Sequence, residues 1–300
     1  MNAAAGAVGG GYVLLVNAAA GSAQESAVDA AGEVLTGAGA EVEVRACERE
    51  SDVDGVLDDL DGRTLVVCGG DGSLHVAVGR LHATDRRDIP VGLLPLGTGN
   101  DFARALGVPL EDPAAAARHL LAAVPRPMDL LVEDGGRACV NALHLGLGAT
   151  AAARADALKS SLSGLAYPVG ALLAGVTETS EPVEVVVDGR RLSDGPTLLV
   201  AVCNGTSFGG GARVAPDADP TDGLLDVVVV QATGPLERAA FGLALQRGTH
   251  LERDDVLLAR GREVSVQGHD LRDDVDGELG EPSDARRTWR THAGAWRYVG

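Results

Sequence analysis

Through the first 124 residues, short continuous apolar runs alternate with longer amphipathic stretches. The runs at 12–16, 65–68 and 91–94, and the alternating stretch at 41–46, read as strands. Between and after them, 22–36, 53–60, 73–81, the stretch that closes at 106, and 113–123 space their apolar residues as helices do. Ser22 is the expected N-cap of the first helix, with Glu25 three residues on completing a capping box. Strand–helix alternation of this kind predicts a parallel sheet covered on both faces, whose doubly buried strands call for such continuous apolar runs.

Past Pro125-Arg126-Pro127 the pattern changes. Strands are predicted at 128–132, 137–143, 183–187, 197–203, 225–231 and 263–266. Turn signals such as Asp134-Gly135-Gly136 and Asp188-Gly189 separate them. Helical spacing returns only at 151–159, 165–178 and 235–246. This half is expected to form a mainly antiparallel β-sandwich. The predicted organisation is an α/β nucleotide-binding domain over 1–124 with a parallel sheet, and a β-sandwich domain over 125–287. The closing segment, about 288–300, is expected to pack back on the first domain.

Composition narrows the function classes. The 300 residues carry 45% apolar but only 3% aromatic side chains, so Ala, Val and Leu build the core and no base-stacking surface is indicated. A formal net charge of −18 argues against broad nucleic-acid binding and against electrostatic attachment to anionic lipid. Lys159 is the sole lysine and no GxxxxGK[ST] occurs, so a Walker-type P-loop is excluded and phosphate charge must be met by backbone amides, arginine and metal. Cys47, Cys68, Cys139 and Cys203 are far apart and form no CxxC, as expected of buried free thiols in a reducing compartment. The histidines form no metal-spaced pair. The start has no positively charged n-region, and 164–176 is too short to span a bilayer, so a cytoplasmic protein is expected.

The chemistry concentrates between residues 65 and 106. Two strand ends there meet glycine-rich loops that each carry a carboxylate: Gly69-Gly70-Asp71-Gly72-Ser73, and Gly97-Thr98-Gly99-Asn100-Asp101. Glycines let backbone N–H groups approach phosphate oxygens, and the helix that follows points its N-terminus at the first loop. Thr98 and Asn100 can donate to phosphate, Asp71 can hold Mg²⁺ or its waters, and Asp101 can order metal-bound water. Equally, Asn100-Asp101 can cap the next helix, and both roles can hold together. Two such loops side by side at the carboxyl edge of a parallel sheet would form a nucleotide site.

GGDGS and PLGTGNDFAR (95–104) resemble the signature loops of the diacylglycerol kinase-like lipid kinases, a group that includes soluble bacterial diacylglycerol kinases and the catalytic domains of sphingosine and ceramide kinases. The resemblance implies the NAD kinase/diacylglycerol kinase-like fold, with the active site in the cleft between the two domains. Asn17 and Gly21 keep places in the family's loop after the first strand, although its proline is missing, and Asn17 is expected to bond around the nucleotide. PDADPTDGLLDV (216–227) is similar to the segment that holds a structural Mg²⁺ in the family. That likeness implies Asp222 as a side-chain ligand, with Asp219 and Leu224 offering carbonyls. On spacing alone these aspartates form a solvated turn. Asp276-Gly277-Glu278 matches the family's Asp-Gly-Glu, which implies Asp276 as the base for the lipid hydroxyl with Glu278 as its partner. A rival assignment gives the base role to Asp71. At 147–151 the chain lacks the family's aromatic and acid, which loosens the expected acceptor.

The implied activity is ATP- and Mg²⁺-dependent transfer of the γ-phosphoryl group to a neutral lipid, most simply diacylglycerol to phosphatidic acid, with transient membrane-surface contact and no nucleic-acid partner. Homodimerisation is compatible with the sequence. The alternatives are an NAD kinase-like phosphotransferase on a soluble acceptor, and a catalytically silent nucleotide- or lipid-binding protein. The Asn-Asp-Phe-Ala-Arg segment and the Asp-Gly-Glu disfavour the first; retention of Asp71, Asp101, Asp222, Asp276 and Glu278 together disfavours the second.

Overall fold

A computed structural model of the chain describes residues 11–18, 21–146, 180–232 and 234–300. The helices expected at 151–159 and 165–178, and the departure at 147–151, lie outside the described residues. The chain divides into two units, Met1–Asp129 with Ala293–Gly300, and Leu130–His292.

The first unit alternates β1 (Tyr12–Asn17), α1 (Ser22–Gly37), β2 (Val42–Cys47), α2 (Asp52–Asp58), β3 (Thr64–Gly69), α3 (Asp71–Ala83), β4 (Pro90–Pro95), α4 (Asp101–Ala105) and α5 (Pro113–Ala122). Its strands run parallel in the order β2–β1–β3–β4. The end of the chain's last strand adds a fifth, parallel to β4, with Arg297 opposite Pro90. The central strands β1, β3 and β4 are buried almost throughout, whereas the edge strand β2 alternates and leaves Val44 53% exposed. That is the burial expected when helices cover both faces of a parallel sheet. Helix α5 starts on Asp112, whose side chain accepts from the Ala115 N–H at 2.9 Å, and places Pro113 where a missing N–H costs nothing. Its Leu120 lies against Gly92 of β4, where a Cβ would come within 2.4 Å of the leucine. Helix α1 departs from expectation: Gly21, in extended conformation, is the N-cap, and Ser22 is the first helical residue with no capping bond.

The second unit continues through β5 (Arg126–Glu133), β6 (Ala138–Cys139), β7 (Ala142–Gly146), β8 (Val183–Val187), β9 (Arg190–Ser193), β10 (Leu199–Cys203), β11 (Leu225–Val230), α6 (Pro235–Arg247), β12 (Val256–Gly261), β13 (Glu263–Gly268), β14 (Asp273–Val275), β15 (Glu278–Leu279) and β16 (Arg287–Val299). One antiparallel sheet runs β12–β11–β10–β7–β14–β15. Against it pack β9, β8, β13 and the first part of β16, also antiparallel. The inward-facing residues of both sheets, among them Leu143, Val185, Val202, Val227, Val264 and Trp289, share one core. On the opposite face of the six-stranded sheet, Phe241 and Leu245 of α6 cover Ala201, Val228 and Val230. This is the sandwich expected from alternating strands. The strand expected over 137–143 is instead two short strands broken at Val140-Asn141, for a reason that lies in the site.

Candidate active site

In the first unit the two glycine loops meet backbone to backbone. The Leu96 N–H donates to the Gly69 carbonyl at 3.0 Å, and a Cβ on Gly97 would fall 2.4 Å from the Gly70 Cα. A Cβ on Gly69 would strike the Ser73 hydroxyl at 2.4 Å. Glycine is therefore required at 69 and 97 by close approach, not by positive φ. Helix α3 begins at Asp71, two residues earlier than the apolar spacing suggests, with Gly70 as N-cap. No cap side chain covers its first-turn amides, which is the arrangement that receives anions at a helix start.

Asp71 fastens the loops together. Its Oδ2 accepts from the Asp101 N–H at 2.9 Å and its Oδ1 from the Phe102 N–H at 3.0 Å, so a carboxylate of the first loop caps the helix that follows the second. Asn100 sits in the left-handed region at φ 50°. Its carboxamide accepts from the Gly97 N–H at 3.1 Å and donates to the Gly97 carbonyl at 2.7 Å. The sequence offered Asn100 as a phosphate donor; the structure turns its side chain back to close its own loop. Asp101 is 4% exposed, whereas Thr98 is exposed.

Beside the loops, at the carboxyl ends of β1, β2 and β3, is a cavity of about 280 Å³ lined by Val16, Asn17, Val28, Ala46, Cys68 and Leu96, with Gln24, Glu25 and Asp29 of α1 at its edge. Gln24 donates to the Leu96 carbonyl at 3.1 Å, which ties α1 to the second loop. Asn17, the last residue of β1, lines this cavity. Gln24, Glu25 and Asp29 were not foreseen, because polar residues on an amphipathic helix carry no signal beyond a solvated face. Burial pushes the Cys68 thiol up, so it serves the cavity as an apolar wall.

In the second unit Asp276-Gly277 forms a two-residue hairpin turn between β14 and β15, with Val275 paired to Glu278. Both turn residues have positive φ, 52° and 94°, as a type I′ turn demands. The Asp276 carboxylate accepts from the backbone N–H groups of Val140 (2.6 Å), Asn141 (2.9 Å) and Ala142 (3.0 Å), and from the Cys139 thiol at 3.5 Å. These bonds are what break the strand expected over 137–143. Asn141 and Asn204 complete the junction, donating to the Ser207 and Val140 carbonyls at 2.8 and 2.7 Å. Glu278 is exposed on β15.

The acidic turn before β11 is satisfied internally. Asp219 Oδ1 accepts from the N–H and hydroxyl of Thr221 at 3.0 and 2.6 Å, while its carbonyl faces the Asp222 N–H. Asp222 Oδ1 accepts from the Leu224 N–H at 2.9 Å, and its Oδ2 is paired with Arg260. Arg260 thus stands on the Asp222 oxygen that a structural Mg²⁺ would need, and among the described residues no cluster of three His, Cys, Asp or Glu side chains is placed to hold a metal.

Comparison with known proteins bears on the family and the fold. Residues 11–132 match the diacylglycerol kinase catalytic domain, and 141–290 match the YegS C-terminal NAD kinase beta sandwich-like domain. A diacylglycerol kinase of Mycobacterium tuberculosis is 31% identical over 230 residues, covering 74% of this chain and 72% of that one. A probable lipid kinase YegS-like of Pseudomonas aeruginosa is 35% identical over 252 residues, 78% of this chain and 80% of its own. Among solved structures, a putative diacylglycerol kinase from Bacillus anthracis superposes with a TM-score of 0.76 at 21% identity, over 96% of each chain. An NAD kinase from Archaeoglobus fulgidus in complex with ATP superposes at 0.55 and 15% identity, over 96% of this chain and 93% of that one, a likeness of fold.

Proposed function

Because the chain belongs to the diacylglycerol kinase-like lipid kinases, we propose that it transfers the γ-phosphoryl group of ATP to the hydroxyl of diacylglycerol, giving phosphatidic acid. The observation that carries the reading is the interlock of the two glycine loops through Asp71, which builds one continuous backbone cradle at the start of α3. The phosphates lie on the first-turn amides of α3. The nucleoside occupies the adjoining cavity, its base against Val16, Val28 and Leu96 and its polar edge toward Asn17. Magnesium that travels with phosphates asks for one or two carboxylates and several waters; Asp71, whose oxygens each carry a second lone pair beyond the backbone N–H they accept, and Asp101 would supply them. Such an ion would neutralise charge on the transferred group.

On the acceptor side the proposed carboxylates are Asp276 and Glu278. A carboxylate has about four acceptor positions, and on Asp276 three backbone amides and a thiol use them. In this reading Asp276, implied by resemblance as the base, holds the turn instead, and Glu278, exposed two residues on, takes the hydroxyl proton. Such a base contributes on the order of 10²–10⁴-fold. Among the described residues no helix is long and apolar enough to cross a membrane.

The test is transfer of labelled γ-phosphate to diacylglycerol, ceramide, sphingosine and monoacylglycerol in mixed micelles, with NAD as soluble control and Asp71→Asn as blank. Label on diacylglycerol that vanishes in the blank supports the proposal. Label on another lipid reassigns the acceptor, and label on NAD alone moves the chain to a soluble acceptor.

A further inference from the structure

In the second unit, β11 and β12 pair antiparallel with Asp226 directly opposite Arg260. The guanidinium Nε lies 3.0 Å from Asp226 Oδ1, while Nη2 reaches back to Oδ2 of Asp222, four residues earlier in the turn. Asp217 adds its charge to the same group, raising the Asp226 carboxyl after the larger effect of burial. One planar cation thus serves two carboxylates in a register that the strand ladder fixes. We propose that Arg260 is a built-in counter-ion that does the work a divalent cation would do in this turn, and that the second unit folds and stays folded without bound metal. The chemistry supports exchange between the two: a guanidinium donating to two carboxylates and a Mg²⁺ bound through carboxylate oxygens neutralise the same charge, and one excludes the other.

The experiment uses the full chain stripped with a chelator, without nucleotide, followed by thermal melting and by equilibrium dialysis against Mg²⁺. Wild type is expected to melt within roughly 1 °C of itself in chelator and in millimolar MgCl₂, and to retain no stoichiometric Mg²⁺. Arg260→Gln is expected to melt roughly 2–4 °C lower in chelator and to recover on addition of MgCl₂, since its emptied carboxylates become a cation site. Arg260→Lys, which keeps the charge, should lose less and ignore Mg²⁺. A wild type that holds one Mg²⁺ per chain, or that melts several degrees lower without it, overturns the proposal. So does an Arg260→Gln protein that loses stability and gains nothing from Mg²⁺, which would make Arg260 an ordinary cross-strand partner. If Arg260→Gln fails to fold in chelator, the wild-type titration alone decides.

Discussion

Replacing Asp276 by Asn tests whether its carboxylate works as a structural acceptor. The native side chain takes three backbone N–H groups, two on Oδ1 and one on Oδ2. An Asn carboxamide keeps the Oδ1 pair as neutral bonds and turns an NH₂ donor toward the Val140 N–H. Hydrogen bonds to a charged group are worth about 1.5–3 kcal/mol and neutral ones about 1, so the loss comes to about 3 kcal/mol, or roughly 6–12 °C in melting temperature for a unit of this size. The two tryptophans separate the transitions, because Trp289 lies in the core of the second unit and Trp296 in the first. Melting followed at Trp289 should fall while ATP affinity holds. The same fold contains a control: Asp188-Gly189 is another two-residue turn with positive φ, and Asp188 accepts from the Arg262 and Glu263 N–H groups at 3.0 Å each. With one amide fewer and an exposed side chain, Asp188→Asn should cost about 1 kcal/mol and leave turnover intact. Glu278→Gln should do the reverse, melting as wild type with turnover down on the order of 10²-fold or more. If Asp276→Asn melted as wild type while turnover collapsed, the amide bonds would carry no weight and Asp276 itself would be the base.

Gly97→Ala should weaken ATP binding more than roughly tenfold by calorimetry with the second unit's melting unchanged, because the new Cβ meets the Gly70 backbone and separates the loops proposed to hold phosphate. Thiol titration of the native protein should find Cys47 alone reacting, and slowly, with Cys68, Cys139 and Cys203 appearing only on denaturation, since burial raises all three thiols. Burial pulls the His144 imidazole below its usual pKa against the opposing pull of Asp274, 3.7 Å away. The unfolded chain then binds the extra proton first, so stability should fall as pH drops through about 6.5, and His144→Gln should flatten that slope in melting curves taken between roughly pH 7.5 and 5.5.

What the sequence made legible was local. The strands ending at Gly69 and Pro95 and the loops that follow are continuous in the chain, and the apolar runs and glycines declare them without help from distant residues. What it concealed depends on long-range partners. Residues 137–143 carry strand propensity throughout, yet a carboxylate more than 130 positions away takes the amides of Val140, Asn141 and Ala142 and bends the chain between β6 and β7. The signal available was Asp276-Gly277 itself, since Asp-Gly between short runs favours a two-residue hairpin with its aspartate at positive φ. Strand β12 escaped notice because Leu257 and Leu258 face opposite sides of an edge strand and leave Leu258 48% exposed, which blurs alternation. Strand β16 falls on the closing segment expected at about 288–300, but its continuity through Gly294, at φ 62° with its N–H donating to Asp129 at 2.8 Å, was not legible. The acidic turn shows the same limit from the chemical side. Asp219 and Asp222 offer a cation site only by resemblance, and it is the register of β11 on β12 that sets Arg260 opposite Asp226 and within reach of Asp222.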